Sequence, residues 1–370
     1  MATPRPFKPI RALARGMLLF TAMTCASCGM PAPGAMSAPA QSDLPRLRLE
    51  REGANSAKLV GLSPLVGFAR GKDCSLMHCL EVALEGLGRS IPYDDLMGMS
   101  GHAFRLQVRA DGWDAGAADP AVGDGCLDTL FSAIGWSYDF RAVLREDLTA
   151  SDALLQAVRD SIDRRVPVLA ANIMPPEDWG LIVGYRPDRT WLCRAYNDGA
   201  ESVDRVAKGW PTGVILLTGA RARPASLQVH VDGVRRGIEL FERVRPAGAY
   251  VTGRKAFETW MGQLRAPRDA SYVHANFWLY VNLIDARAAA VRYLRDQARS
   301  FSSKEMHWLM AADWYDQEVR LLIQNLRYVP SAKESGDSVP PYQMRQQQIG
   351  VLGQALKLEE KAVDSLKRAI

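Results

Sequence analysis

The run Asp73-Cys-Ser-Leu-Met-His-Cys-Leu-Glu-Val-Ala-Leu-Glu-Gly-Leu-Gly88 sets Leu76, Leu80, Ala83, Leu84 and Leu87 on one face at helical spacing. Asp73 stands at the N-cap position and Gly88 at the stop, so the run predicts a buried amphipathic helix that begins at a cysteine. Downstream, residues 167–172, 179–185, 190–196 and 214–218 are short apolar runs parted by Pro, Asp and Gly. They read as strands of an antiparallel sheet, with Arg186-Pro-Asp-Arg189 as a hairpin turn. A helix laid on such a sheet makes an α+β domain, expected over residues 58–222.

Past residue 223 the strand pattern gives way to helical patterns at about 250–265, 272–300, 303–327 and 342–367, with a Pro- and Ser-rich connection at 325–341. An all-helical bundle domain is therefore expected over 223–370, without a repeat at a solenoid period. In it Trp278, Leu279, Leu283, Ala286, Ala290, Tyr293 and Leu294 form an apolar stripe. Asp285, Arg287, Arg292 and Arg295 are expected on a solvated face.

The 370 residues are 48% hydrophobic and 24% charged, with a mean hydropathy of -0.13, which excludes a disordered chain, collagen and a polytopic membrane protein. The formal charge of +5 points toward nucleic acid only until it is located. Of the 46 Lys and Arg residues, Arg5, Lys8, Arg11 and Arg15 precede residue 28 with no acid among them, leaving 42 basic against 41 acidic residues. The body of the chain is nearly neutral, and no nucleic-acid partner is expected.

The basic cluster is followed by the ten-residue apolar run Gly16-Met-Leu-Leu-Phe-Thr-Ala-Met-Thr-Cys25, too short to span a ~30 Å hydrocarbon core. Residues 1–27 thus read as a bacterial export signal. Cys25-Ala-Ser-Cys28 resembles the lipobox of lipoproteins, although Cys25 stands where Leu is usual; cleavage after Ala38-Pro-Ala40 is the alternative. The resemblance implies a lipidated Cys28 anchored in the cell envelope. Gly29 in place of Asp favours the periplasmic side of the outer membrane. Residues 28–57, with Pro31, Pro33, Pro39 and Pro45 among small residues, read as a flexible tether. Export places Cys74, Cys79, Cys126 and Cys193 where disulfides can form. A Cys74–Cys79 bridge would need to close ~7.5 Å along a helix axis, which leaves Cys126 or Cys193 as a partner for Cys79.

A cysteine at the start of a buried helix, facing a strand pair, is the layout of a papain-like thiol enzyme, because free N–H groups and the helix dipole favour a thiolate. The run 73–88, then Ile91-Pro-Tyr-Asp-Asp-Leu-Met-Gly-Met-Ser-Gly101 and Ala103-Phe-Arg105, resembles the N-terminal domain family of butirosin biosynthesis protein H and the C39-like cysteine peptidase fold. Val166-Pro-Val-Leu-Ala170 and Trp179-Gly-Leu-Ile-Val-Gly-Tyr185 continue the likeness over about residues 60–220. It implies Cys74 as nucleophile, a peptide or acyl substrate, and an orienting Asn197 or Asp198. Where the family has its strand histidine, this chain has Asp178, and the oxyanion glutamine before the cysteine is missing from Val66-Gly-Phe-Ala-Arg-Gly-Lys72.

Two histidines could replace the missing base: His78, one helical turn past Cys74, and His102, in a Gly-rich loop of the kind that carries site residues. Trp179, Trp136, Tyr138 and Tyr185 are candidates to line a cleft. His230, His274 and His307 show no metal-ligand spacing, and P-loop, dinucleotide and Gly-x-Ser-x-Gly motifs are absent from the sequence, so neither metal nor cofactor is expected. Three functions follow from this reading: a thiol-dependent peptidase or acyltransferase, a non-catalytic module binding a peptide or small amide through Asp178, Trp179 and Asn197, and a structural envelope lipoprotein.

Overall fold

The computed structural model describes residues 47–370 except 54, 144–147, 176, 202–203, 222–225, 268–271 and 336–337. The leader, Cys28 and most of the tether lie outside the described residues. The rest of the expected tether is corrected: Arg48–Arg51 is already strand β1, paired antiparallel with β2 (Ala57–Val60).

Helix α1 (Ser75–Gly86) forms where the apolar spacing placed it and stops at Leu87, with Gly88 at φ 77°. Its N-cap is Cys74, which makes no side-chain cap; Asp73 instead turns back to accept the Ala69 amide at 2.7 Å. After α2 (Tyr93–Met99), β3 (Gln107–Arg109) and α3 (Leu127–Ile134) come β4 (Trp136–Ala142) and α4 (Leu148–Asp163). The sheet continues with β5 (Val168–Ala171), β6 (Trp179–Tyr185), β7 (Trp191–Ala195), β8 (Arg205–Ala207) and β9 (Gly213–Ala220).

All pairings are antiparallel and the main path runs β1-β2-β6-β5-β9-β4. Strand β6 is the hub: β5 and β2 pair with its two ends along one edge, and β7, followed by β8, covers the other. All seven of its residues are buried, as expected for a strand covered on both faces. Helices α1 and α4 pack on β5 and β6.

The second region contains α5 (Ser226–Glu242), α6 (Gly253–Arg265), α7 (Tyr272–Ala298), α8 (Glu305–Gln324), the single turn α9 (Ala332–Ser335) and α10 (Tyr342–Ala369). Among its described residues the one strand, β10 (Tyr250–Thr252), pairs with β3 of the first region. The architecture is α+β, an antiparallel sheet region followed by helices that pack onto it. One apolar core runs through both, joining Leu84, Leu96 and Phe104 to Ala289, Tyr293, Trp308 and Leu366. The centre of the bundle is α7, which touches α2 on one side and α8 on another. Asp285 and Arg287, expected on a solvated face, are 4% and 1% exposed. They are buried because α7 is enclosed on several sides, not because the residues are apolar.

The α2–α7 contact depends on a missing side chain. A Cβ on Gly98 would lie 2.4 Å from the Tyr293 ring, and both elements are fixed in the shared core. Gly98→Ala is therefore expected to cost about 1–3 kcal/mol by overpacking, more than the helix propensity gained. Urea denaturation measures this directly, and an unchanged or higher midpoint would refute the tight contact.

Candidate functional site

Where the sheet region meets α7 there is a cleft of about 410 Å³. Cys74 and Ser75 reach it from the start of α1, Asp178 and Trp179 from the start of β6, and Trp278 and Asn282 from α7. The loop carrying Asp119 forms a further wall. That loop is pinned from behind by buried Arg105, which donates to the carbonyls of Ala117 (2.9 Å), Asp119 (2.8 Å) and Asp124 (2.9 Å).

The cysteine is fixed through its backbone. Its amide donates to Tyr93 Oη at 2.9 Å, and that hydroxyl donates to Asp285 Oδ2 at 2.5 Å. Burial pushes the Cys74 thiol well above its ordinary range, and Asp119 and Asp285 push it further, against one lowering contact from the Met77 amide. Burial and neighbouring carboxylates thus outweigh the helix-terminus effect that the sequence suggested.

Asp178 does bond to α1, but to the residue after the cysteine. Its Oδ1 accepts from Ser75 Oγ and, at 2.8 Å, from the Trp179 amide; its Oδ2 accepts from Asn197 Nδ2 at 3.5 Å. Burial and the nearby Asp119 raise this carboxyl above the usual aspartate range, against the bonds that stabilise its charge. Trp179 donates its indole N–H to Asp119 Oδ2 at 2.6 Å, closing the corner between strand and loop. No family model matches the chain, and no curated protein matches it.

The other expected site residues are placed elsewhere. Asp198 accepts from Arg205 at 2.5 Å and from the Ala195 amide at 3.3 Å, within the β7–β8 end of the sheet. His78 has both ring nitrogens engaged: Nε2 accepts the Val66 amide at 2.9 Å, so Nδ1 carries the proton and donates to Glu81 at 2.8 Å. His102 is buried beside Arg105 and Arg287, and burial and those two charges lower its pKa well below the ordinary range. It borders a separate small void and does not line the cleft.

Trp136 packs under Arg89, Tyr138 stacks on Phe131 with ring centres 4.3 Å apart, and Tyr185 donates to Asp163 at 2.8 Å, so Trp179 alone of these four aromatics lines the cleft. Sequence reasoning missed Phe140, Trp278, Asn282 and His274, which do line it. His274 is exposed and lies eleven residues before Asp285 on α7, roughly 16 Å along the axis.

The four described cysteines are buried free thiols, which corrects the expected bridge from Cys79 to Cys126 or Cys193. Among the described residues no three His, Cys, Asp or Glu side chains converge as a metal site, and no helix is long and apolar enough to cross a membrane.

Proposed function

We propose that the protein binds a small ligand, a peptide or small amide, in the cleft between the sheet region and α7, with Cys74 held as a neutral thiol that does not act as a nucleophile. The observation that carries this reading is the direction of Asp178: it bonds Ser75, Trp179 and Asn197, so no bond from the base position reaches the cysteine. The two histidines proposed as substitutes face elsewhere, and the thiol's neighbours are carboxylates. Asn172, Thr212 and Asn282 add polar side chains to a lining that also holds Trp179 and Trp278, the mix of polar and aromatic groups that suits an amide.

The exported, Cys28-anchored address at the periplasmic side of the outer membrane belongs to the same proposal and rests on the leader sequence. Iodoacetamide labelling across a pH series, read by mass spectrometry, tests the central claim. Native Cys74 should alkylate more slowly than in the unfolded chain, and only above the ordinary thiol range near pH 8.5. Faster alkylation of the native protein at neutral pH would restore the thiol-enzyme reading.

A further inference from the structure

The cleft holds a nucleophile-and-base pair that the thiol reading passes over. We propose that Ser75 is the nucleophile of an acyl-transfer reaction in this cleft, with Asp178 as its base and an ester or thioester as substrate. The inference rests on the cleft being the ligand site and goes beyond binding.

Ser75 is 7% exposed, yet it lines the cleft and commits its hydroxyl to Asp178. Asp178 is itself oriented by the Trp179 amide and by Asn197. A nucleophile within hydrogen-bond reach of a base, with that base fixed by a third group, is the arrangement an activated hydroxyl requires. As the first residue of a twelve-residue helix, Ser75 also lies beside the first-turn amides of α1, which have no intrahelical acceptor. An oxyanion formed beside Ser75 would draw its donors from the amides of Ser75 and Leu76, since the Met77 amide already contacts the Cys74 thiol. The upward push on Asp178 from burial and Asp119 makes it a stronger base than an exposed aspartate.

The step balances without a further reagent. Ser75 Oγ bonds to the acyl carbon while its proton passes to Asp178. Collapse of the intermediate breaks the bond to the leaving oxygen or sulfur, which takes that proton. Water or an acceptor hydroxyl then attacks the acyl-serine, gives its proton to Asp178, and Oγ leaves with it. A carboxylate is a weaker base than imidazole, so the substrate needs a good leaving group, which selects esters and thioesters over amides.

The test is reaction of the full chain with an alkyl fluorophosphonate, followed by peptide mapping, together with turnover of p-nitrophenyl acetate. The expected result is a phosphonyl adduct on Ser75 that is at least tenfold reduced in Asp178→Asn, and ester hydrolysis above background that Ser75→Ala abolishes. Adduct mapping in the unmodified protein needs no variant, so misfolding of Ser75→Ala leaves the test intact. Absence of an adduct on Ser75, or equal hydrolysis by a folded Ser75→Ala, overturns the proposal and leaves the binding reading in place. An adduct on Cys74 instead would overturn both.

Discussion

Arg287→Met is expected to destabilise the protein by about 3–5 kcal/mol, the range for removing one partner of a buried ionic cluster. Arg287 on α7 is 1% exposed and faces Glu318 of α8 and Glu359 of α10, both 0% exposed. Its Nη1 also donates to the Ala103 carbonyl at 2.7 Å, and its guanidinium lies 5.5 Å from the Tyr315 ring centre. One cation therefore ties three helices to the turn after α2.

Two carboxylates share that single cation. Burial, and then Glu359, push the Glu318 carboxyl well above its usual range; burial also raises Glu359, against the pull of Arg287. Two buried carboxylates on one cation accordingly favour keeping one of them protonated in the fold. Without the guanidinium both acids must be neutral in the fold while both ionise in the unfolded chain. The loss should therefore grow from pH 5 to pH 8, because stability falls with rising pH wherever the folded state binds more protons. Glu318→Gln, which keeps the shape of a neutral acid and has no proton to release on unfolding, should instead gain stability relative to wild type between pH 5 and pH 8. Urea midpoints at the two pH values decide this, and a cost below 1 kcal/mol for Arg287→Met would show that the cluster does not fix the packing.

This cluster also marks where the sequence stops being legible. The helix from Ser75 and strands β5, β6, β7 and β9 could be read because each shows its own period in a short window. A charged pair two residues apart on α7 shows nothing of the kind. Whether Asp285 and Arg287 meet water depends on how many neighbours surround the helix, and 19 of its 27 residues are buried. Strand β4, Trp-Ser-Tyr-Asp-Phe-Arg-Ala, does alternate, but at the sheet edge its polar residues hide the pattern.

The site divides in the same way. Cys74, Asp178 and Trp179 could be chosen from the sequence because a strand start and a helix start have local signatures, and they line one cleft, which Asn197 adjoins only through Asp178. The opposite wall comes from Trp278 and Asn282, about two hundred positions after Cys74. One signal was available: Asn282 and Asp285 interrupt an otherwise apolar stripe at the spacing of Trp278, and a polar break in a core stripe asks for a partner. The partner of Asp285 is the Tyr93 hydroxyl, which no local pattern names. The direction of Asp178, toward Ser75 and not the thiol, is a matter of side-chain geometry beyond the reach of spacing.

Asp73→Asn is expected to stabilise the protein at neutral pH by about 2–4 kcal/mol. Asp73 borders the cleft, and burial, then the like charge of Asp285, pushes its carboxyl from 3.8 up to about 7. Below pH 4 the carboxyl is protonated in both the folded and the unfolded chain and contributes no difference. Between pH 4 and 7 the unfolded chain releases a proton that the fold retains, so wild-type stability declines across that window by up to about 1.4 kcal/mol per pH unit. Asparagine has no such proton to lose, and its carbonyl can still accept from the Ala69 amide at 2.7 Å and from Tyr196 Oη at 3.3 Å. Denaturation midpoints of the two proteins should therefore coincide near pH 4 and separate progressively up to pH 7.5, with the variant higher. Parallel curves would mean that Asp73 ionises normally in the fold. The same experiment bears on the cleft, because Asp73 and Asp285 approach each other from the sheet region and from α7. Retaining a proton between them limits the repulsion of two carboxyls beside the Tyr93 hydroxyl that holds the Cys74 backbone, and the asparagine variant removes that repulsion at every pH.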